Sequence, residues 1–125
     1  MALFRCASGG SGGSQTKSAY NQSLPSNRTF NTGFEAERIL ITFFFSTNGM
    51  LTLFYDKAFA QANNNTLRRY YVAGSSQSTP DTIGIGDLTT TMTIESIDSS
   101  GFKLSSYCAS SNVRCISYVA TTSTE

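Results

Sequence analysis

The sequence predicts an all-β fold, an antiparallel β-sandwich of about seven to eight strands with an extended Gly/Ser-rich N-terminal arm. Three observations carry that expectation. Only 14% of the 125 residues are charged while 39% are hydrophobic, so the surface must be built largely from Ser, Thr, Asn and Gly. Helix surfaces ordinarily need Lys, Glu and Arg, whereas strand surfaces do not. Short apolar or alternating runs recur at regular intervals, each closed by Gly, Asn, Asp or Pro, and no segment sustains a helical period. A chain of this length forms one domain and buries a single core without metal or disulfide staples.

The elements follow in order. Residues 7–14 (ASGGSGGS) are a flexible Gly/Ser segment, and Leu3-Phe4-Arg5-Cys6 ahead of it is either a disordered leader or a strand for a neighbouring subunit. Residues 15–26 are polar and end in Leu24-Pro25-Ser26, an extended connection. The arm is therefore set at 1–27, the sandwich domain at 28–120 and a loose polar tail at 121–125. Within the domain, Thr29 to Phe34 gives a short strand ending in a Gly turn, and Glu37 to Ser46 gives a strong Ile/Phe strand. Asn48-Gly49 signals a two-residue hairpin turn before the return strand Met50 to Asp56. Lys57 to Ala62 suits one helical turn before the Asn63-Asn64-Asn65 loop. Strands then follow at Thr66 to Ala73, at the Gly-interrupted Asp81 to Gly86 and at Thr89 to Ile97. A turn at Asp98 to Gly101 leads into a closing hairpin, Gly101 to Tyr107 against Val113 to Ala120, about a loop at Ala109 to Asn112.

The two hairpins differ in their faces. A two-residue turn at Asn48-Gly49 pairs Phe45 with Thr52 and Phe43 with Phe54. One face then carries Ile39, Ile41, Phe43, Phe45, Met50 and Phe54, and the other Leu40, Phe44, Leu51, Leu53 and Tyr55. Both faces want burial, so one needs a cover: residues 15–26, a second subunit or a larger assembly. Phe43, Phe44, Phe45, Leu53 and Tyr55 are the candidate interface residues. In the closing hairpin Cys108 pairs with Val113, which makes Cys108 and Cys115 diagonal neighbours. With three cysteines in all, two small buried hydrophobes are preferred over a disulfide, and no metal spacing is present.

Composition also excludes function classes. Net charge is +1 with scattered basic residues, unlike a nucleic-acid binder. The chain contains no His, which removes Ser-His and Cys-His nucleophile pairs and the commonest metal ligand. No cofactor and no catalytic set is expected. The longest apolar stretch, Ile39 to Phe45, is far short of a bilayer span, and no signal peptide is visible, so a cytoplasmic origin without membrane attachment is expected. Asp56, Asp81, Asp87, Glu95 and Asp98 read as turn or surface acids, Asp98 as an Asx cap. The strand Leu67-Arg68-Arg69-Tyr70-Tyr71 is the polar-aromatic patch of interest. Arg68 and Tyr70 fall on one face, Arg69 and Tyr71 on the other, and aromatic planes beside guanidinium groups suit a glycan site as well as an ordinary core edge.

Thr32-Gly33-Phe34 followed by Glu37-Arg38-Ile39-Leu40-Ile41 resembles the TGF-x-P-x-x-I-x-I opening of small β-sandwich modules in tailed-phage and prophage virion proteins, themselves similar in plan to H-type lectin domains. Thr52 to Asp56, Thr91 to Ile94 with Ile97-Asp98, Gly101 to Leu104 and Tyr118-Val119-Ala120 continue the likeness over roughly residues 29–120. Ala36 stands where the family's proline usually sits. The resemblance implies a virion structural or receptor-binding protein, a trimer or higher ring contacting other virion proteins and a host-surface glycan. It transfers no site residues. A free-standing lectin-like module is the alternative.

Overall fold

The computed structural model describes residues 14–46, 49–73, 76–77, 80–86, 91–108 and 113–122. Ten strands and one short helix run in the order β1 (Thr16–Gln22), β2 (Thr29–Asn31), β3 (Arg38–Phe45), β4 (Gly49–Asp56), α1 (Lys57–Ala62), β5 (Thr66–Ala73), β6 (Ser76–Gln77), β7 (Asp81–Gly84), β8 (Ile94–Asp98), β9 (Gly101–Leu104) and β10 (Val113–Thr121). They form two antiparallel sheets packed as a β-sandwich, as the sequence predicts. The larger has the order β1-β10-β3-β4-β5, with β6 and β7 pairing along the far edge of β5, and the smaller has the order β2-β9-β8. Among the described residues no helix is long and apolar enough to cross a membrane.

The larger sheet has two distinct faces, set by its register. Tyr118 pairs with Ile41, Ile41 with Leu53, Leu53 with Arg69 and Arg69 with Asp81, so these side chains share the inner face. Ile39, Ile41, Phe43, Leu53, Leu67, Ile116 and Ala120 on that face are fully buried. The smaller sheet covers it with Phe30, Phe102, Ile94 and Leu104. Phe30 stacks on Phe102 at 4.9 Å, and both rings meet Tyr118 edge-on at 5.1 and 5.6 Å, the arrangement ring quadrupoles favour.

Several expectations are corrected. The β3–β4 hairpin pairs Phe44 with Met50 and Phe43 with Leu51, three positions away from the register of a two-residue turn. Gly49 lies within β4, and Asn48 is outside the described residues. An odd shift exchanges the faces of one strand, so Leu51, Leu53 and Tyr55, not Met50 and Phe54, join Ile39, Ile41 and Phe43 in the core. The closing run is not a hairpin. β9 is flanked by β8 and β2, β10 by β1 and β3, and the chain between them crosses from one sheet to the other. Their apolar faces meet across the core, Phe102 against Tyr118, instead of lying side by side.

The domain boundary also moves. β1 pairs with β10 from Thr16 opposite Thr121 to Gln22 opposite Ile116, and Leu24 enters the core. The sheet therefore includes residues assigned to the arm, although residues 1–13 are outside the described set. At the other end Thr121 is a buried strand residue and Thr122 exchanges hydrogen bonds with Gln15, so the first two residues assigned to a loose tail are tied to the sheet, and 123–125 lie outside the described residues. Cys108 is buried and Cys115 half-buried, both as free thiols, while Cys6 lies outside the described residues.

Candidate functional site

β5 carries all four polar-aromatic candidates, and its alternation divides them into two environments. Arg68 and Tyr70 are on the outer face of the larger sheet. The Arg68 guanidinium lies 4.5 Å from the ring centroids of both Phe54 and Phe59, sandwiched between a β4 ring and an α1 ring. Arg69 and Tyr71 are on the inner face, in the rows that hold Leu53 and Leu51.

At β5 the inner face leaves the cover of the smaller sheet, and a pocket of about 360 Å³ opens there. From the larger sheet it is lined by Phe45, Leu51, Arg69, Tyr71 and Asp81. Thr91 and Met92, just before β8, and Tyr107, just after β9, close the opposite side. Tyr71 tilts against Phe45 with ring centroids 6.0 Å apart. Tyr71 and Tyr107 keep 41% and 55% of their surfaces exposed, unlike the buried Tyr55 and Tyr118 of the core.

Charge in the pocket is balanced. Arg69 and Asp81 are directly opposite in the β5–β7 ladder and pair bidentately, Arg69 Nε donating to Asp81 Oδ1 at 3.1 Å and Nη2 to Oδ2 at 2.8 Å. The Arg69 hydrogen bonds hold the Asp81 carboxyl below the usual carboxylate range, so it is ionised at neutral pH. Each carboxylate oxygen has spare acceptor capacity beyond the one bond it receives from Arg69. Among the described residues, no group of three or more His, Cys, Asp or Glu side chains is placed to hold a metal ion.

The candidate interface residues also separate. Phe43, Leu53 and Tyr55 are core residues of the chain itself, at 0%, 0% and 7% exposure, and present no surface to a partner. Phe45 belongs to the pocket. Phe44 alone of the five lies on the outer face, where it shares a row with Cys115, Met50 and Val72. The adjoining rows are Ser117, Thr42, Thr52 and Tyr70, then Val119, Leu40, Phe54 and Arg68. Leu40 and Met50 are exposed at 46% and 38%, and Thr42 and Thr52 hydrogen-bond each other at 3.2 Å in the middle of the face.

Sequence reasoning found Arg69 and Tyr71 but missed Met92 and Tyr107, which reach the pocket only because two connections between sheets meet there. Comparison of the chain with protein families, with curated proteins and with solved structures finds no match in any of the three.

Proposed function

We propose that this protein works by homo-oligomeric assembly through the outer face of its larger sheet, as a structural component of a tailed-phage virion. The observation that supports assembly is the apolar outer face, with Leu40, Phe44, Met50, Phe54, Val72 and Val119 uncovered by any described strand. Of the covers that the sequence suggests, residues 15–26 do not lie across it, because β1 extends the sheet edgewise and Leu24 turns into the core.

A second copy suits this face in charge as well as polarity. Arg38 pairs with Asp56 at its rim, Arg68 lies against two rings, and the two threonines share one hydrogen bond. Covering such a face also covers the Arg68 guanidinium and the Thr42, Thr52, Tyr70 and Ser117 side chains, so the facing copy has to supply acceptors around its apolar centre. A ring contact between copies removes its apolar surface from water at about 25 cal/mol per Å². The virion role rests on the sequence resemblance, and action by binding rather than catalysis agrees with a chain that has no His.

Light scattering across a concentration series tests the assembly. A trimer or larger species is expected, and Leu40→Glu combined with Met50→Glu should give a monomer with an unchanged circular dichroism spectrum. A wild-type protein that stays monomeric at high concentration overturns the proposal.

A further inference from the structure

We propose a second activity on the opposite side of β5: the pocket at Tyr71 and Tyr107 binds a single neutral pyranose of a glycan. The inference goes beyond assembly and does not depend on it, since the pocket residues of the larger sheet occupy its inner face.

The chemistry of the lining selects the ligand. A pyranose presents apolar C–H faces and a rim of hydroxyls that each donate and accept. Tyr71 and Tyr107 offer partly exposed rings for the C–H faces, with Phe45 against Tyr71 and Met92 adding apolar lining. The Arg69–Asp81 pair lies among these rings and supplies donors and acceptors on one rigid unit. Its carboxylate accepts and its guanidinium donates, as sugar hydroxyls require, and the bidentate pairing on facing ladder positions orders both side chains before any ligand arrives, which reduces the ordering cost of binding.

Charge balance narrows the class further. Asp81 neutralises Arg69, and no other charged side chain lines the pocket among the described residues. A phosphate, sulfate or carboxylate ligand would gain the attraction of Arg69 and suffer the repulsion of Asp81 at nearly the same distance. A neutral polyol meets neither penalty. The volume of about 360 Å³ lies near the lower end of the range of roughly 300–1,000 Å³ typical of small-ligand sites. The open mouth allows the ring to be one residue of a longer chain.

Amide chemical-shift mapping of the full chain tests the site, with the methyl glycosides of glucose, galactose, mannose and N-acetylglucosamine as probes and inorganic phosphate as the anionic comparison. At least one glycoside should shift the amides of Tyr71, Met92 and Tyr107 saturably, with a millimolar dissociation constant. Tyr107→Ala, at an exposed position with little bearing on folding, should weaken that binding about tenfold, the loss expected for one stacking ring. Tyr20→Ala removes a still more exposed ring on β1, away from the pocket, and should leave binding unchanged. Asp81→Asn should uncover the Arg69 charge, so that phosphate begins to shift the same amides. The inference is overturned if no glycoside moves these resonances at up to about 50 mM, well above a millimolar dissociation constant. It is equally overturned if phosphate moves them more strongly in the wild type, or if Tyr107→Ala leaves the glycoside dissociation constant unchanged. The oligomeric state of the same sample is read separately, so failure here is distinguishable from failure of assembly.

Discussion

Gly101 is the residue at which the smaller sheet has no alternative side chain. It pairs with both Asn31 on β2 and Asp98 on β8, at a φ of +155°. A Cβ built there would run into the backbone carbonyl of Phe30 and approach the amide of Thr32 at 2.9 Å. Backbone cannot swing aside as a flexible side chain does, so β2 must shift and the Phe30–Phe102 stack with it. Gly101→Ala is expected to destabilise the fold by about 3 kcal/mol, read as a lower denaturation midpoint at unchanged slope. Asp81 responds to pH instead. Arg69 lowers its pKa in the folded state, so the pair's contribution is present above the ordinary carboxylate pKa and is lost as pH falls through the lowered value. The pair is solvent-exposed and the effect on stability is correspondingly small. A carbon-detected titration should place the Asp81 midpoint below that of an ordinary aspartate, and Arg69→Ala should return it upward. A midpoint unmoved by Arg69→Ala would contradict the pairing.

Among the elements, α1 shows how little local sequence is needed when tertiary contacts assist. Six residues are too few for an independent helix. Asp56 caps it, Oδ1 accepting from the amides of Ala58 at 3.0 Å and Phe59 at 3.4 Å, while Ala60 is buried and Phe59 lies under Arg68. Asp56→Ala should cost about 1 kcal/mol, and Asp56→Asn, which keeps the accepting oxygen, only a few tenths. Equal losses for the two substitutions would assign the effect to the Arg38–Asp56 ion pair instead. This helical turn, the Asp98 turn and most strand spans are legible in the sequence because each is encoded within a few adjacent residues. Strand partners are not. Alternation in Gly101 to Leu104 and in Val113 to Ala120 states which side chains point inward, and it is satisfied equally by neighbours in one sheet and by strands facing each other across the core. The β3–β4 register carried a usable cue in Thr42 and Thr52, the two polar residues that pair when Phe43 meets Leu51. The Asn48-Gly49 turn signal pointed to a different register and outweighed it.

At the scale of the whole molecule, β5 separates two surfaces with different physics. Its outward residues continue an apolar face whose stabilisation depends on area removed from water, so contact there should strengthen with protein concentration. Its inward residues Arg69 and Tyr71 border a small pocket whose polar groups fix orientation, so binding there should depend on ligand stereochemistry and scarcely on concentration of the chain. Alternation along one strand is what allows both, since adjacent residues such as Tyr70 and Tyr71 point to opposite sides of one rigid sheet. The two activities should therefore separate by substitution. Leu40→Glu with Met50→Glu should abolish the oligomer while leaving the glycoside dissociation constant within about twofold, because substitutions that share no partners act almost independently. Tyr107→Ala should do the reverse, weakening the glycoside about tenfold while the light-scattering mass stays that of the wild type. The assembled form then gains a property that neither surface has alone. Copies held in a ring present one pocket each at fixed spacing, so a multivalent glycan surface should retain the oligomer far more strongly than the double variant, by a factor on the order of 100 or more. Surface plasmon resonance on an immobilised polyvalent glycoside measures that ratio directly. Equal retention of wild type and monomeric variant would mean that the pockets of one assembly cannot engage a common surface.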